Sequence, residues 1–178
     1  MNIKKKIMEE KDIKRTLMRL SHEITEKHKG VEEIVLAGIK TRGAFIAERI
    51  SDNLMKIEDF KVPVIKLDVT PFRDDEKKSN NDTSEFNIDV ENKTVILVDD
   101  VLFTGRTIRA AMDSIISRGR PSQIELLVLV DRGHREFPVK ANFIGKNLPT
   151  SKSNEAVEVK LAEIDKYQEE GVYIYDNV

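Results

Sequence analysis

The sequence predicts an α/β domain with a central parallel sheet flanked by helices. Apolar runs of strand length recur at Ile34 to Gly38, Thr94 to Val98 and Ile124 to Val130. Helical periodicities fall between them, and the order strand, helix, strand occurs twice, the usual way of joining parallel strands. At 178 residues the chain suffices for one domain and is short for two. Residues 1–178 are therefore expected to form a single domain.

Asp12 can cap a first helix, whose Ile13, Leu17, Leu20 and Ile24 recur at spacings of four, three and four, and Gly30 closes it. The run from Ile34 reads as a buried strand. Thr41 to Gly43 then turns the chain into a second helix with Ile46, Ala47, Ile50 and Leu54 on one face. Val62 to Val69 reads as another strand. From Pro71 to Asn87 the pattern stops: charges, Ser and Asn dominate, with two Phe as apolar anchors. A structureless stretch of that length inside a domain points to a mobile functional loop, so 71–87 is expected to be a lid. The strand from Thr94 ends at Asp99-Asp100, and a helix follows from about Thr107 to Arg118. After the strand Ile124 to Val130, the tail offers Phe143-Ile144, the alternation Val157, Val159, Leu161, and Val172 to Tyr175. These read as short strands or a small β-rich cap.

Composition narrows the function. A hydrophobic content of 39% suits an ordinary core. No run approaches the roughly 20 apolar residues of a membrane span, and the N-terminus lacks a signal-peptide centre. A soluble cytoplasmic protein without a membrane partner is expected. The absence of cysteine excludes disulfides, thiolate metal sites and cysteine nucleophiles. The net charge of −2 hides a local asymmetry. Residues 1–30 carry nine Lys/Arg against five acids, 131–152 carry five against two, and 155–178 carry two against seven. A near-neutral chain with this distribution can still present a basic face.

The chemistry concentrates at Asp99-Asp100-Val101-Leu102-Phe103-Thr104-Gly105-Arg106-Thr107. Ligands of open parallel sheets bind beyond the carboxyl ends of the strands. There the turn offers backbone N–H groups, two hydroxyls and a helix N-terminus, a site for phosphate. The carboxylates have the wrong sign for that phosphate but can accept hydrogen bonds from ribose hydroxyls or lie near magnesium. Acid pair and phosphate nest together indicate a phosphorylated sugar. A Walker loop would need Gly and Lys where Asp100 and Arg106 stand. No GxGxxG occurs, and His22, His28 and His134 lack zinc-site spacing.

This segment resembles the signature of the type I phosphoribosyltransferases, which bind 5-phosphoribosyl-1-pyrophosphate (PRPP). The likeness extends to Gly38 to Gly43, Arg73-Asp74-Asp75, Val130 to Glu136 and Ile144 to Ser153. These segments resemble the pyrimidine operon attenuation family, bacterial RNA-binding regulators with uracil phosphoribosyltransferase activity. The resemblance implies the type I phosphoribosyltransferase fold with a small β-rich hood. Asp99 and Asp100 would then hold the ribose, and Thr104, Gly105, Arg106 and Thr107 the 5-phosphate, with Val101, Leu102 and Phe103 lining the site. Lys40, Thr41 and Arg42 match the pyrophosphate loop, and Arg73 matches the lid arginine. Arg132 falls in the base pocket, and Val157 in the hood against uracil. Asp99, Asp100, Arg42 and Arg73 would carry catalysis, with Mg2+ bound mainly through the substrate pyrophosphate and UMP as product.

The RNA partner implied is the leader hairpin of pyrimidine-operon mRNA, contacted by Arg19, His22, Lys27, Lys140, Lys146 and Lys152. Arg15, Arg19, His22 and Lys27 fall broadly on one helical face. Met18 stands where the family carries a hydroxyl residue, and Lys27 and Lys140 where arginine is common. These changes keep charge but lose a planar, bidentate group. A homodimer or higher homo-oligomer is also implied. The signature contacts only the ribose phosphate, so it leaves two alternatives: a hypoxanthine- or guanine-type phosphoribosyltransferase, and a non-catalytic sugar-phosphate sensor.

Overall fold

A strand covered on both faces shows no polar alternation, because every side chain points into one core or the other. The computed structural model describes residues 2–75 and 81–177, and the apolar runs behave in this way. In chain order the elements are β1 (Asn2–Glu9), α1 (Glu10–His28), β2 (Ile34–Ile39), α2 (Arg42–Glu58) and β3 (Val64–Leu67). A 3-10 turn at Thr70–Phe72 follows, then β4 (Thr94–Leu102), α3 (Arg106–Ile116), β5 (Gln123–Asp131) and β6 (Phe143–Asn147). The chain finishes with β7 (Glu155–Lys160) and β8 (Gly171–Asp176).

Strands β2 to β6 form one parallel sheet in the order β3-β2-β4-β5-β6. Along β4, Ile96 and Val98 join a core with Leu17 and Leu20 of α1 and Ile46 and Ile50 of α2. Val95 and Leu97 enter the opposite core with Ile108, Ala111 and Ile115 of α3. The period of two sorts one strand into two cores, and β4 is covered by helices on both sides. Among the described residues no helix is long and apolar enough to cross a membrane.

The hood is an antiparallel sheet with β8 between β1 and β7. The alternations at 157–161 and 172–175 do form its strands. β1 was not anticipated. Its sequence, NIKKKIME, is mostly exposed, and only Met8 is buried. It is a strand because it pairs with β8 at the other end of the chain, which no local pattern encodes. Asp12 also differs from its expected place. The helix begins earlier, with Glu9 as N-cap and Asp12 as the third helical residue of a capping box. β4 runs on to Leu102, so the acid pair lies within a strand rather than in a turn.

Of the expected lid at 71–87, residues 76–80 lie outside the described residues. Its far end is anchored. Glu85 forms a bridge with Lys66, and Thr83 donates its hydroxyl to Asp68 at 2.8 Å. Arg118 pairs with Asp82 and stacks over Phe86, 4.5 Å from the ring centroid.

The hood is tied to α2 by Arg49. Its guanidinium donates to Glu163 at 2.8 and 2.7 Å and to Glu170 at 2.7 and 2.8 Å. Burial pushes the Glu170 carboxyl up, but the hydrogen bonds from Arg49 and the Ala162 N–H outweigh it and hold the group below its ordinary value. A carboxylate depressed in the folded state contributes stability above its unfolded value of about 4.3, and that contribution is lost as pH falls through the folded value. Arg49→Leu strands the buried Glu170 charge and should cost about 3–5 kcal/mol at pH 7. Urea midpoints should show the deficit narrowing towards pH 4; a deficit independent of pH would assign it to lost packing instead.

Candidate functional site

The carboxyl end of β4 carries the acid pair, and the turn after it opens α3. Asp99 is 8% exposed. Its Oδ1 accepts the Asp100 N–H at 2.9 Å, and Asp100 Oδ1 accepts the Val101 N–H at 2.8 Å. Burial first, and the neighbouring Asp100 charge second, push the Asp99 carboxyl well above its ordinary value. Gly105 is the N-cap of α3 with φ of 92°, a left-handed conformation that favours glycine. A Cβ there would also approach Val139 at 3.1 Å. Thr104 Oγ1 accepts the Arg106 N–H at 3.3 Å. The other N–H groups of the first turn have no intrahelical acceptor and are available to an anion.

A cavity of about 410 Å3 opens here. Asp99, Val101, Leu102, Phe103, Thr104, Gly105, Arg106, Thr107 and Arg73 all line it. Folding therefore unites most of the expected signature with the lid arginine. The Arg73 guanidinium donates to Thr107 Oγ1 at 3.1 Å and is held by Asp75 at 2.9 and 2.7 Å. It thus stands at the 104–107 turn, expected to hold the 5-phosphate, and not at the loop expected to receive pyrophosphate. Arg106 pairs with Asp74 at 2.6 Å and stacks on Phe137.

The first turn of α2 abuts the acid pair through Gly43. A Cβ at this position would lie 2.4 Å from the Val98 carbonyl oxygen and 3.2 Å from Asp99 Cα, so only glycine permits the approach. The side chains beside it turn elsewhere. Lys40 donates to the Thr83 carbonyl at 2.6 Å and, with Thr41, lines a separate cavity of about 180 Å3. Arg42, expected in catalysis, donates Nε to the Val159 carbonyl at 2.7 Å and Nη2 to Asp165 at 3.0 and 3.2 Å. Its guanidinium clasps the hood and is not brought to the acid pair.

Arg132 is buried behind the cavity wall. It donates to Thr150 Oγ1 and to the Ser151 and Glu155 carbonyls, and its guanidinium lies 4.1 Å from the Phe103 ring centroid. Burial lowers its pKa. Arg132 thus shapes the pocket through Phe103. Val157 packs with Val101 against the same core, placing β7 over the end of β4.

Several contributors were not singled out from sequence. Glu136 lines the cavity, and the Glu136 and Phe137 N–H groups donate to the Thr104 carbonyl at 2.8 and 3.1 Å. Arg135 braces the turn by donating to the Phe103 carbonyl and to Asp131. The only sequence signal for these was membership of the segment from Val130 to Glu136.

A second surface forms where α1 lies along β6. Arg19 donates to the Gly145 carbonyl at 2.7 Å and to Glu23 at 3.1 Å. Lys27 stands 5.4 Å over the Phe143 ring. His22 and Lys146 are exposed on these two elements, and Lys140 and Lys152 are exposed in the loops before and after β6. Folding brings Arg19, Lys27 and β6 together; no contact ties Lys140 or Lys152 to α1 among the described residues.

The chain matches the family model described as phosphoribosyl transferase domain over residues 5–163. It is 53% identical over 161 residues to the bifunctional protein PyrR of Streptococcus pneumoniae strain CGSP14, covering 90% of this chain and 92% of that protein. The same values hold for the protein of that name from serotype 19F strain G54. A hypoxanthine phosphoribosyltransferase structure from Staphylococcus aureus superposes with a TM-score of 0.73 at 21% identity, covering 97% of this chain and 91% of that one. A hypoxanthine-guanine phosphoribosyltransferase structure from Bacillus anthracis gives 0.68 at 19% identity, covering 97% and 98%. At such identity the two structures speak for the fold alone.

The raised Asp99 carboxyl has a measurable consequence. An acid whose pKa rises on folding loses stability as pH climbs from the ordinary carboxylate range through the folded value. Asp99→Asn removes that opposition and should raise stability at pH 7.5 by about 0.5–2 kcal/mol. The gain should vanish near pH 4. Thermal melts at both pH values test this, and a variant less stable than the parent at pH 7.5 would refute it.

Proposed function

The chain belongs to the phosphoribosyl transferase family and, within it, to the bifunctional PyrR proteins, and on that premise we propose two activities for it. It is a uracil phosphoribosyltransferase, converting uracil and PRPP to UMP and pyrophosphate. It is also an RNA-binding regulator that attenuates transcription of pyrimidine operons by binding mRNA leader hairpins in response to uridine nucleotides. The observation that carries the first activity is the meeting of Asp99 with the 104–107 turn and Arg73 in one cavity.

The residues take the following roles. The 104–107 turn, the α3 N-terminus and Arg73 hold the 5-phosphate. Asp99 and Asp100 accept hydrogen bonds from the ribose hydroxyls. In the reaction the C1–oxygen bond to pyrophosphate breaks, the C1–nitrogen bond to uracil forms, and the nitrogen gives up its proton. The acid pair lies where the ribose becomes cationic, and fixed charge so placed stabilises that state. The loop Lys40-Thr41-Arg42 receives the pyrophosphate next to the acid pair, with Lys40 as its charged side chain and Arg42 fixing the loop to the hood. Val157, Val101 and Phe103, the last held by Arg132, form the uracil pocket. The lid at 71–87 excludes water, which would otherwise compete with uracil.

Magnesium is the cofactor proposed. Among the described residues no cluster of three or more metal-ligating side chains occurs, and the site offers one adjacent carboxylate pair. That donor set suits magnesium, which commonly takes one or two carboxylates and fills its shell with substrate phosphates and water. When bound through Asp99 or Asp100, it would neutralise charge on the leaving pyrophosphate. The chain is taken to act in the cytoplasm as one domain and as a homodimer or larger homo-oligomer. The α1–β6 surface, with Arg19, His22, Lys27 and Lys146 and flanked by Lys140 and Lys152, is the RNA face.

Uracil, hypoxanthine, guanine and orotate offered with PRPP and magnesium should leave uracil as the base consumed; consumption of a purine instead would overturn the assignment. Thr104→Val and Thr107→Val each delete a hydroxyl at nearly constant volume. Each should weaken PRPP binding by about 1–3 kcal/mol, read by calorimetry, and unchanged binding in both would place the phosphate elsewhere.

For the RNA face, Arg19→Ala and Lys146→Ala should each lower the slope of log affinity against log salt by about 0.7. Uracil turnover should persist in both variants. Collapse of turnover with hairpin affinity intact would assign the basic helix to the active site.

A further inference from the structure

Lys27 lies on the RNA face, yet its charge is already engaged from inside the protein. Glu125 projects from β5 and is only 4% exposed. Its Oε2 meets Lys27 Nζ, and its Oε1 lies 2.5 Å from His28 Nε2, a contact without hydrogen-bond geometry. Both side chains come from the last turn of α1. The Lys27 ammonium is further held over Phe143 of β6. The exposed Lys146 side chain, by contrast, makes no hydrogen bond or ion pair among the described residues.

Resting on the RNA-binding reading above, we propose that Glu125 determines how many cations the α1–β6 face offers to RNA, by retaining Lys27 as a strut and withholding it from phosphate. If Lys27 left, Glu125 would keep only the His28 contact, which lacks hydrogen-bond geometry, and a buried carboxylate without its hydrogen-bonded cation carries a desolvation penalty larger than one exposed phosphate contact returns. Lys27 therefore stays docked when RNA binds, and counterion release falls to Arg19, Lys146 and the flanking lysines. The pair α1–β5 is thereby held together at the cost of one phosphate contact, and affinity is set below what the count of Lys and Arg implies.

The test is a charge cycle read by salt-dependent binding of the pyrimidine-operon leader hairpin. Glu125→Gln frees Lys27 and should tighten binding about fourfold at 0.15 M salt while steepening the slope by about 0.7, the value of one added contact. The double variant Lys27→Gln/Glu125→Gln replaces the ion pair by a neutral pair of similar shape, and should bind like the parent with the parent's slope. If the double variant binds about fourfold more weakly with a shallower slope, Lys27 contacts phosphate in the parent and the proposal is overturned. Should Glu125→Gln fail to fold, the double variant alone decides. Uracil turnover should be unchanged in both, because neither residue lines the catalytic cavity. A parent that binds no hairpin, or that is indifferent to Arg19→Ala and Lys146→Ala, would defeat the RNA face itself rather than the role of Glu125.

Discussion

The central strand β4 is buried on both faces until it reaches Asp99 and Asp100 near its end, and much of the site depends on that transition. Burial on both faces requires side chains without charge. The carboxyl edge of the sheet is the first place where β4 can carry polar groups. Even there Asp99 remains nearly enclosed, with its carboxyl pushed up by burial and by Asp100. The protein thus keeps at this position a carboxyl whose ionisation burial disfavours, the usual opposition between stability and function. Gly43 lets the first turn of α2 reach the same point, and Gly105 turns the chain into α3 at once beside the cavity.

Arginine is the fastener of this structure. Arg42 joins the loop before α2 to Val159 and Asp165, and Arg49 joins α2 to Glu163 and Glu170. Arg132 spans from β5 to the 150–155 segment, and Arg135 binds the phosphate turn to Asp131. The planar guanidinium suits these tasks because it satisfies several acceptors at once. The hood also joins the main core through Met8, Val159, Leu161 and Val172. These polar clasps add direction to that apolar contact in setting its place over β4.

The two proposed activities share parts. Arg132 stacks on Phe103 in the cavity wall and binds Thr150 and Ser151, neighbours of Lys152. β5 carries Asp131 at one end and Glu125 at the other, the latter beneath the last turn of α1. A single strand thus borders the nucleotide site and the basic face. The basic residues near the N-terminus are divided between α1, where acids accompany them, and β1, where Lys4 pairs with Glu155 and Asp176 and Lys6 with Glu169 inside the hood.

The parallel strands and the helix faces were largely legible in the sequence, because a two-sided core imposes local rules: apolar runs for strands and a 3.6-residue period for helices. The turn after β4 was legible for a similar reason, since its residues are consecutive. β1 was not, because an exposed strand is defined by its partner β8 and not by its own pattern. Nor could a charged residue be assigned a task from its neighbours in sequence. Arg42 beside the acid pair serves the hood, Arg73 reaches Thr107, and Lys27 is held by a buried Glu125 98 residues away. A long cationic side chain goes to the acceptor that offers the best desolvated partner. Which acceptor lies within reach is decided only when the chain has folded.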